Sequence, residues 1–333
     1  MSDKLNSKAL TQPSPAGRGL SQSLVKAMPS LNRGWRFWCL LTACILLALS
    51  LARPTLNLSK SVYRYLFVID ITQSMNARDY HQDGLPADRL GFVKASIREA
   101  LLGLPCGSEV GLGLFTTRNS QVLFEPLEVC GHLPLIAETL EHIDWRMAWA
   151  ADSHIARGIY TGLREAAARG TDTRLVFFTD GQQFPPEAAP PPFDGKPGAT
   201  GGLIVGVGGA QPVPIPRLDK DDQPQGFWEY RDLHDFLPPS ALPQDSAQLY
   251  LSRLDEPALR ELASLTGLGY LRLENPSGLR QALLDRGLAT QRDVETDVRR
   301  ALGLLALVLL LATRLELPGF LWLAAWAKRG SVA

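Results

Sequence analysis

An apolar strand runs directly into a polar turn at residues 65–75, which read Tyr65-Leu66-Phe67-Val68-Ile69-Asp70-Ile71-Thr72-Gln73-Ser74-Met75. A turn leaving the strand can aim the side-chain oxygens of Asp70, Thr72 and Ser74 at one point. Hard cations such as Mg²⁺ and Ca²⁺ take oxygen ligands of this kind, and doubly wound sheets bind ligands beyond the carboxyl ends of their strands. The stretch therefore predicts a divalent-cation site, with an ordinary polar turn after a strand as the alternative.

A second predicted strand ends in the same way, at Arg174-Leu175-Val176-Phe177-Phe178-Thr179-Asp180-Gly181. The carboxyl ends of parallel strands share one edge of a sheet, so we expect Asp70 and Asp180 to face the same crevice. Gly181 permits the tight turn that would expose the Asp180 side chain. Two strands that end in carboxylates favour the cation site over the polar turn.

These residues resemble the metal-ion-dependent adhesion site of the von Willebrand factor type A family. The pattern of that site is D-x-S-x-S, then a threonine, then a strand ending in T-D-G. Asp70 and Ser74 match the first element, Thr72 replaces its first serine with another hydroxyl, and Asp180 supplies the last element. The resemblance implies a Rossmann-like α/β fold.

The middle residue of the pattern is the least regular match. Ser153 stands where the family has a threonine, at the start of a predicted helix, and the adjacent Asp152 is the alternative ligand. The resemblance implies a cation with one coordination position left for an acidic residue of a partner protein. The cation, Mg²⁺ or Ca²⁺, would be bound by five residues: Asp70, Thr72, Ser74, Ser153 and Asp180.

Composition fits one moderately large domain with additional segments. The chain has 333 residues, 45% of them hydrophobic, and 34 basic residues balance 34 acidic ones. This content can bury a full α/β core. A formal charge of zero gives no indication of nucleic-acid binding.

Apolar periodicity predicts alternating strands and helices along the central part of the chain. Helices are predicted at 88–102, 132–143 and 155–168, strands at 109–115, 121–125 and 202–207, and a capped helix with Pro257 in its first turn precedes a final strand. Prolines between Gly181 and Gly202 predict an irregular loop there. The alternation predicts a doubly wound, mostly parallel sheet, within a domain at 60–290.

The N-terminal segment predicts a membrane anchor. Residues 37–52 carry no charge, and residues 1–36 contain six basic residues against one acidic residue. This asymmetry predicts a cytoplasmic tail over 1–36, a transmembrane helix over 37–53 and export of the following domain. A cleaved signal peptide ending at Ser50-Leu51-Ala52 is the alternative.

A second apolar segment lies near the C-terminus, at 301–313, before Arg314 and Glu316 interrupt it. We predict a transmembrane helix over 300–318 and an interfacial or cytoplasmic segment over 319–333. An amphipathic helix lying on the membrane or packed on the domain is the alternative. Two anchors predict a protein held in a membrane at both ends, with its main domain outside the cytoplasm.

Cys106 and Cys130 flank the predicted hairpin of 109–125. A hairpin centred between Arg118 and Asn119 places residue 106 opposite residue 131, one step from Cys130. This predicts a disulfide at the base of the hairpin, as suits an oxidising compartment, and two unpaired buried thiols are the alternative.

A proline-rich insertion is predicted at about 210–248. Its acidic residues Asp219, Asp221 and Asp222 could bind Ca²⁺, but a solvated hairpin tip is the more common role of such a cluster. The cluster is therefore left out of the predicted metal site.

Residues 36–317 resemble a narrower group, the bacterial inner-membrane von Willebrand type A proteins that accompany MoxR-type AAA+ ATPases. The resemblance to this group rests on the capped helix and final strand after Leu254, the paired terminal apolar segments and the proline-rich insertion. It implies a bacterial inner-membrane protein whose main domain lies in the periplasm. Within the group, the Asp70-Ile71-Thr72-Gln73-Ser74-Met75 stretch and the Thr179-Asp180-Gly181-Gln182-Gln183 turn look most like the MxaL and MxaC proteins of methanol-oxidation clusters. The resemblance implies a non-enzymatic module that binds the acidic surface of a periplasmic protein. The implied partners are methanol dehydrogenase or its maturation factors, other von Willebrand type A membrane proteins and a MoxR-type ATPase, and the implied task is maturation or Ca²⁺ insertion.

Two alternatives remain open. One is a general envelope assembly or stress factor that works with a MoxR-type ATPase. The other is a Mg²⁺-dependent phosphatase of the haloacid dehalogenase type, whose pattern requires a second aspartate where this chain has Thr72.

Overall fold

The computed structural model describes residues 28–150, 152–187, 189–229, 232 and 250–314. The chain divides into two compact units, one of residues Ser59–Val294 and one that combines Met1–Leu58 with Glu295–Ala333. Residues 1–27 of the predicted tail at 1–36 lie outside the described residues, as do the predicted segment 319–333 and most of the second half of the proline-rich insertion. Residues 28–36 of that tail belong to a helix that starts earlier than the predicted span at 37–53, at Met28.

Twelve strands and seven α-helices occur in the described part of the chain. The strands are β1 (Thr55–Val62), β2 (Arg64–Asp70), β3 (Glu109–Thr116), β4 (Asn119–Glu128), β5 (Arg174–Thr179), β6 (Gly202–Gly206), β7 (Val213–Pro214), β8 (Pro216–Leu218), β9 (Pro224–Phe227), β10 (Leu251–Ser252), β11 (Gly269–Arg272) and β12 (Thr290–Asp297). The helices are α1 (Met28–Leu51), α2 (Arg89–Gly103), α3 (Val129–His142), α4 (Ile155–Ala168), α5 (Glu256–Thr266), α6 (Pro276–Leu283) and α7 (Arg299–Arg314).

A six-stranded sheet forms the centre of the Ser59–Val294 unit, in the order β11-β6-β5-β2-β3-β4. The first five strands run parallel, and β4 pairs antiparallel with β3 at one edge. Because β2 lies between β5 and β3, the carboxyl ends of β2 and β5 meet at one rim of the sheet. The prediction of a mostly parallel sheet is confirmed.

Helices cover both faces of this sheet, which makes it doubly wound as predicted. Strand β2 needs cover on both sides, because successive side chains of its apolar run point to opposite faces of the sheet. Tyr65, Phe67 and Ile69 pack in the core beneath α2, α3 and α6. Leu66 and Val68 pack in the core beneath α4 and α5.

The β3–β4 hairpin differs from the prediction at its tip. Thr116 pairs with Asn119, so the tip is the two residues Thr117 and Arg118, whereas the predicted centre lay one residue further on. Two register shifts along β4 then bring Glu109 opposite Glu128, which is the register predicted for the base. The bulges therefore compensate for the displaced tip.

Cys106 and Cys130 form a disulfide with a Cα–Cα distance of 5.3 Å, so the predicted bond is present and the alternative of two thiols is wrong. Helix α3 begins at Val129, three residues earlier than predicted, which places Cys130 in its first turn. The Glu128 carboxylate explains the early start, because it caps the helix by accepting hydrogen bonds from the N–H groups of Cys130 and Gly131.

We expect the Cys106→Ser/Cys130→Ser double variant to lose about 3 kcal/mol of unfolding free energy, because the bond closes a loop with a sequence separation of 24. Urea unfolding of the full chain in detergent measures the loss. The Cys39→Ser/Cys44→Ser variant is the matched control, since both residues are free thiols in α1. Identical unfolding midpoints with and without reductant in the wild type would contradict the prediction.

One helical segment in the described part of the chain is long and apolar enough to cross a membrane, Gly34–Leu51 within α1. Helix α7 packs against α1 within their unit. It has only 16 residues in the described part of the chain, a length of about 24 Å against an apolar bilayer thickness of about 30 Å. The predicted second span over 300–318 is therefore not supported, and residues 315–318 lie outside the described part.

Candidate metal centre

Asp70 connects the ends of two neighbouring strands. Its Oδ1 accepts hydrogen bonds from the N–H of Thr72, at 2.9 Å, and from the Thr72 hydroxyl, at 2.7 Å. Its Oδ2 accepts a hydrogen bond from the hydroxyl of Thr179, the last residue of β5, at 2.7 Å. The turn after β2 is thus held in place by the carboxylate that ends the strand.

The Asp70 carboxyl is completely buried. Burial raises its pKa well above the ordinary value and the negative charge of Asp180 raises it further, while the hydrogen bonds from Thr179 and Thr72 act in the opposite direction. An ionised Asp70 is therefore costly in this place unless a positive charge lies nearby. A bound cation would provide that charge.

Asp180 follows β5 at the same rim and is also completely buried. Its Oδ1 accepts a hydrogen bond from the N–H of Gln182, at 3.0 Å. Its Oδ2 accepts hydrogen bonds from Arg89 Nη1, at 2.8 Å, and from the Ser252 hydroxyl, at 2.9 Å. Gly181 makes the turn possible, as the sequence predicts, because its φ is +77°.

Arg89 is an important residue that the sequence alone does not single out. Its guanidinium is completely buried at the start of α2 and lies between two carboxylates. Nη2 donates a hydrogen bond to Asp79 at 2.6 Å, and Nη1 donates to Asp180 at 2.8 Å. Burial lowers the pKa of Arg89, but the two carboxylates raise it by more. No sequence pattern distinguishes this arginine from an exposed one.

Backbone hydrogen bonds fix the position of Ser153. Its N–H donates to the carbonyl oxygen of Phe184 at 2.6 Å, and the N–H of His154 donates to the carbonyl oxygen of Thr117 at 2.7 Å. The Ser153 hydroxyl is buried and has no hydrogen-bond partner within the described residues. Asp152, the alternative ligand, lies instead within 3.5 Å of Arg118 and of His154.

A cavity of about 330 Å³ opens at this rim of the sheet. Its lining residues are Thr72, Gln73, Ser74, Ala148, Trp149, Ala150, Ser153, Gln182, Gln183, Phe184, Ile215, Trp228 and Tyr250. The hydroxyls of Thr72 and Ser74 lie 3.3 Å apart. The structure thus brings Thr72, Ser74 and Ser153 to one cavity, while the two predicted aspartates lie outside its lining.

These residues fit a divalent cation. Three residues with hydroxyl groups, Thr72, Ser74 and Ser153, line one cavity, and the unpaired buried oxygen of Ser153 needs a partner. Oxygen donors are the ligands that Mg²⁺ and Ca²⁺ prefer. Asp70 would orient the Thr72 hydroxyl and supply negative charge from behind it.

The acidic turn of the insertion serves another purpose. Asp219 Oδ1 accepts hydrogen bonds from the N–H groups of Asp221 and Gln223, at 2.8 and 2.9 Å, in the turn that joins β8 and β9. The interpretation as a hairpin tip is confirmed.

Two solved structures are similar to part of this chain. An aerotolerance-related membrane protein from Bacteroides fragilis, solved with multiple mutations to serines, is 18% identical, with a TM-score of 0.46 over 66% of this chain and 96% of that one. BatB from Bacteroides thetaiotaomicron is also 18% identical, with a TM-score of 0.45 over 66% of this chain and 95% of that one. A search among curated protein sequences found no significant match.

The sequence profile of the von Willebrand factor type A domain matches residues 65–183, a range that includes all five predicted site residues. This part of the chain is therefore similar to a von Willebrand factor type A domain.

Proposed function

We propose that this chain is a membrane-anchored module that binds a partner protein through a divalent cation. The observation that carries the proposal is the cavity in which Thr72, Ser74 and Ser153 converge, with the Ser153 oxygen unpaired and Asp70 fixed behind Thr72. The cation offers a coordination position to a carboxylate of the partner. The residues of this chain hold the cation, orient its ligands and exclude water from Asp70.

The proposal places the main domain in the periplasm of a bacterial inner-membrane protein. Helix α1 supports an anchor, because its segment Gly34–Leu51 is long and apolar enough to span a bilayer. The disulfide between Cys106 and Cys130 supports an oxidising compartment. The proposed partner is methanol dehydrogenase or one of its maturation factors, and the proposed task is maturation or Ca²⁺ insertion, on the basis of the sequence resemblance.

A phosphatase activity gains no support from the site. A nucleophilic aspartate needs a free oxygen that faces the substrate. Both oxygens of Asp70 accept hydrogen bonds, and the side chain is completely buried. A general envelope assembly factor would use the same cation site and would differ only in its partner.

We expect Ser153→Ala to weaken Mg²⁺ or Ca²⁺ binding about tenfold, because it removes one oxygen from the cation. Isothermal titration of the full chain in detergent measures the affinity. Ser96→Ala is the matched control, because Ser96 is also buried but its hydroxyl donates to the carbonyl oxygen of Phe92 within α2. The cation site would be refuted if neither cation binds the wild type, or if Ser153→Ala binds as tightly.

Purification of the chain from membranes tests the partner. We expect a periplasmic protein to co-purify with Mg²⁺ or Ca²⁺ present and to be lost with chelator, because the cation would bridge the two proteins. Mass spectrometry identifies it. Methanol dehydrogenase or one of its maturation factors would support the proposed task, whereas an unrelated envelope protein would support the general assembly factor.

A further inference from the structure

The cavity at the candidate metal centre also has a large apolar wall. Beyond the three hydroxyls, its wall is formed by large apolar and aromatic side chains, Trp149, Phe184, Ile215, Trp228 and Tyr250. Trp149 is 62% exposed, although aromatic side chains of this size gain most from burial. None of the described residues that line the cavity carries a charge.

The two sides of this wall are held together. Trp149 belongs to the segment that follows Trp145 and Arg146, and Trp228 follows the β8–β9 hairpin. The indole N–H of Trp145 donates to Asp222 at 3.1 Å, and Arg146 forms an ion pair with the same carboxylate at 3.2 Å. The guanidinium of Arg146 also donates to the carbonyl oxygen of Lys220. The segments that carry Trp149 and Trp228 are therefore joined before any ligand binds, which reduces the cost of ordering them on binding.

From this geometry we propose that the partner presents a bulky apolar side chain directly next to its acidic residue, and that this side chain enters the cavity against Trp149. The inference rests on the proposed function, since the cation must hold the carboxylate. The partner segment carries both chemistries because one cavity holds both the hydroxyls and the apolar wall. Its volume of about 330 Å³ lies within the range of roughly 300–1,000 Å³ that is usual for ligand sites.

Charge and shape then select different features of the partner. The uncharged lining leaves the cation as the counter-charge for the carboxylate, so the cation selects an acid. The aromatic wall selects the neighbouring residue, because tryptophans in well-packed pockets contribute much of the binding energy of interfaces. An acidic residue between small polar neighbours would bind the cation but would leave the aromatic wall without a contact.

Three fluorescein-labelled hexapeptides test the proposal by fluorescence anisotropy with the full chain in detergent and Mg²⁺. Their sequences are Gly-Ser-Asp-Phe-Ser-Gly, Gly-Ser-Asp-Ser-Ser-Gly and Gly-Ser-Asn-Phe-Ser-Gly. We expect the Asp-Phe peptide to bind about tenfold more tightly than the Asp-Ser peptide, as burial of a phenylalanine predicts. Trp149→Ala should remove this difference and leave binding of the Asp-Ser peptide unchanged. Leu102→Ala, which removes an exposed apolar side chain of α2, is the control.

The outcomes separate the two proposals. If chelator has no effect and the Asn-Phe peptide binds as well as the Asp-Phe peptide, the cation-dependent function itself fails. If binding needs Mg²⁺ and aspartate but phenylalanine gives no advantage, or if Trp149→Ala weakens both aspartate peptides equally, only the apolar subsite is overturned. A Mg²⁺-dependent dimer that requires Trp149 without any peptide would assign the cavity to a second copy of this chain, and would also overturn the proposal.

Discussion

Replacement of Arg89 by methionine is expected to lower the free energy of unfolding by about 3–5 kcal/mol, the usual cost of removing one partner from a buried ion pair. The guanidinium is completely buried and serves two carboxylates at once, Asp79 and Asp180. Methionine fills a similar volume but offers no hydrogen-bond donor. The Ser252 hydroxyl and the N–H of Gln182 would remain for Asp180, and the N–H of Gly209 would remain for Asp79.

Chemical unfolding of the full chain in detergent measures this loss. Arg98→Met is the matched control, because Arg98 lies on the same helix and is exposed. Its expected change is within about 0.5 kcal/mol. Arg89→Lys should recover only part of the loss, since an ammonium cannot reproduce the planar fork that reaches both carboxylates. Equal midpoints for Arg89→Met and Arg98→Met would show that the buried network does not stabilise the fold.

The network also contributes to the charge around the proposed metal centre. Asp70 and Asp180 are neighbouring buried carboxylates, and Arg89 links Asp180 to a third buried carboxylate, Asp79. When all four groups are ionised, the three negative charges and one positive charge leave a net charge of −2. A divalent cation matches that charge. Arg89 balances the negative charge of Asp180. Asp70 has no such partner among the described residues, so it is the carboxylate whose charge most needs the cation.

Sequence patterns predicted the elements that follow from local physics. Strands β2 and β5 are uninterrupted apolar runs, and the boundaries of α4 at 155 and 168 follow from its apolar stripe. The five site residues come from a spaced pattern, and three of them, Thr72, Ser74 and Ser153, line one cavity in the structure.

Other features depend on contacts that no local pattern contains. The tip of the β3–β4 hairpin lies at Thr117 and Arg118 because two bulges in β4 change the register, and bulges have no strong sequence signal. Arg89 looks like an ordinary helical arginine until the loop that carries Asp79 folds over it. The aromatic wall joins residues from segments more than 70 positions apart, so only the tertiary structure reveals it.

The Asp70→Asn variant is expected to bind the cation about 100-fold more weakly, the upper end of what groups that orient metal ligands usually cost, and to lose partner binding with it. Asparagine has the shape of aspartate, and its carbonyl oxygen can still accept the hydrogen bonds from Thr72. Its amide group can donate to Thr179, whose hydroxyl oxygen already accepts the N–H of Gly181 and has a second lone pair. The variant should therefore fold.

Without cation, this variant should be as stable as the wild type or more stable, because it removes a buried charge that Asp180 repels. With saturating Mg²⁺ or Ca²⁺, only the wild type should gain thermal stability, since a cation that binds the native state alone stabilises it. Asp221→Asn removes one negative charge from the exposed hairpin tip and should behave as the wild type in both conditions. Thermal unfolding of the three proteins with and without cation separates a loss of binding from a loss of fold. If Asp70→Asn retains wild-type affinity for the partner in the presence of chelator, the two proteins do not meet through a shared cation.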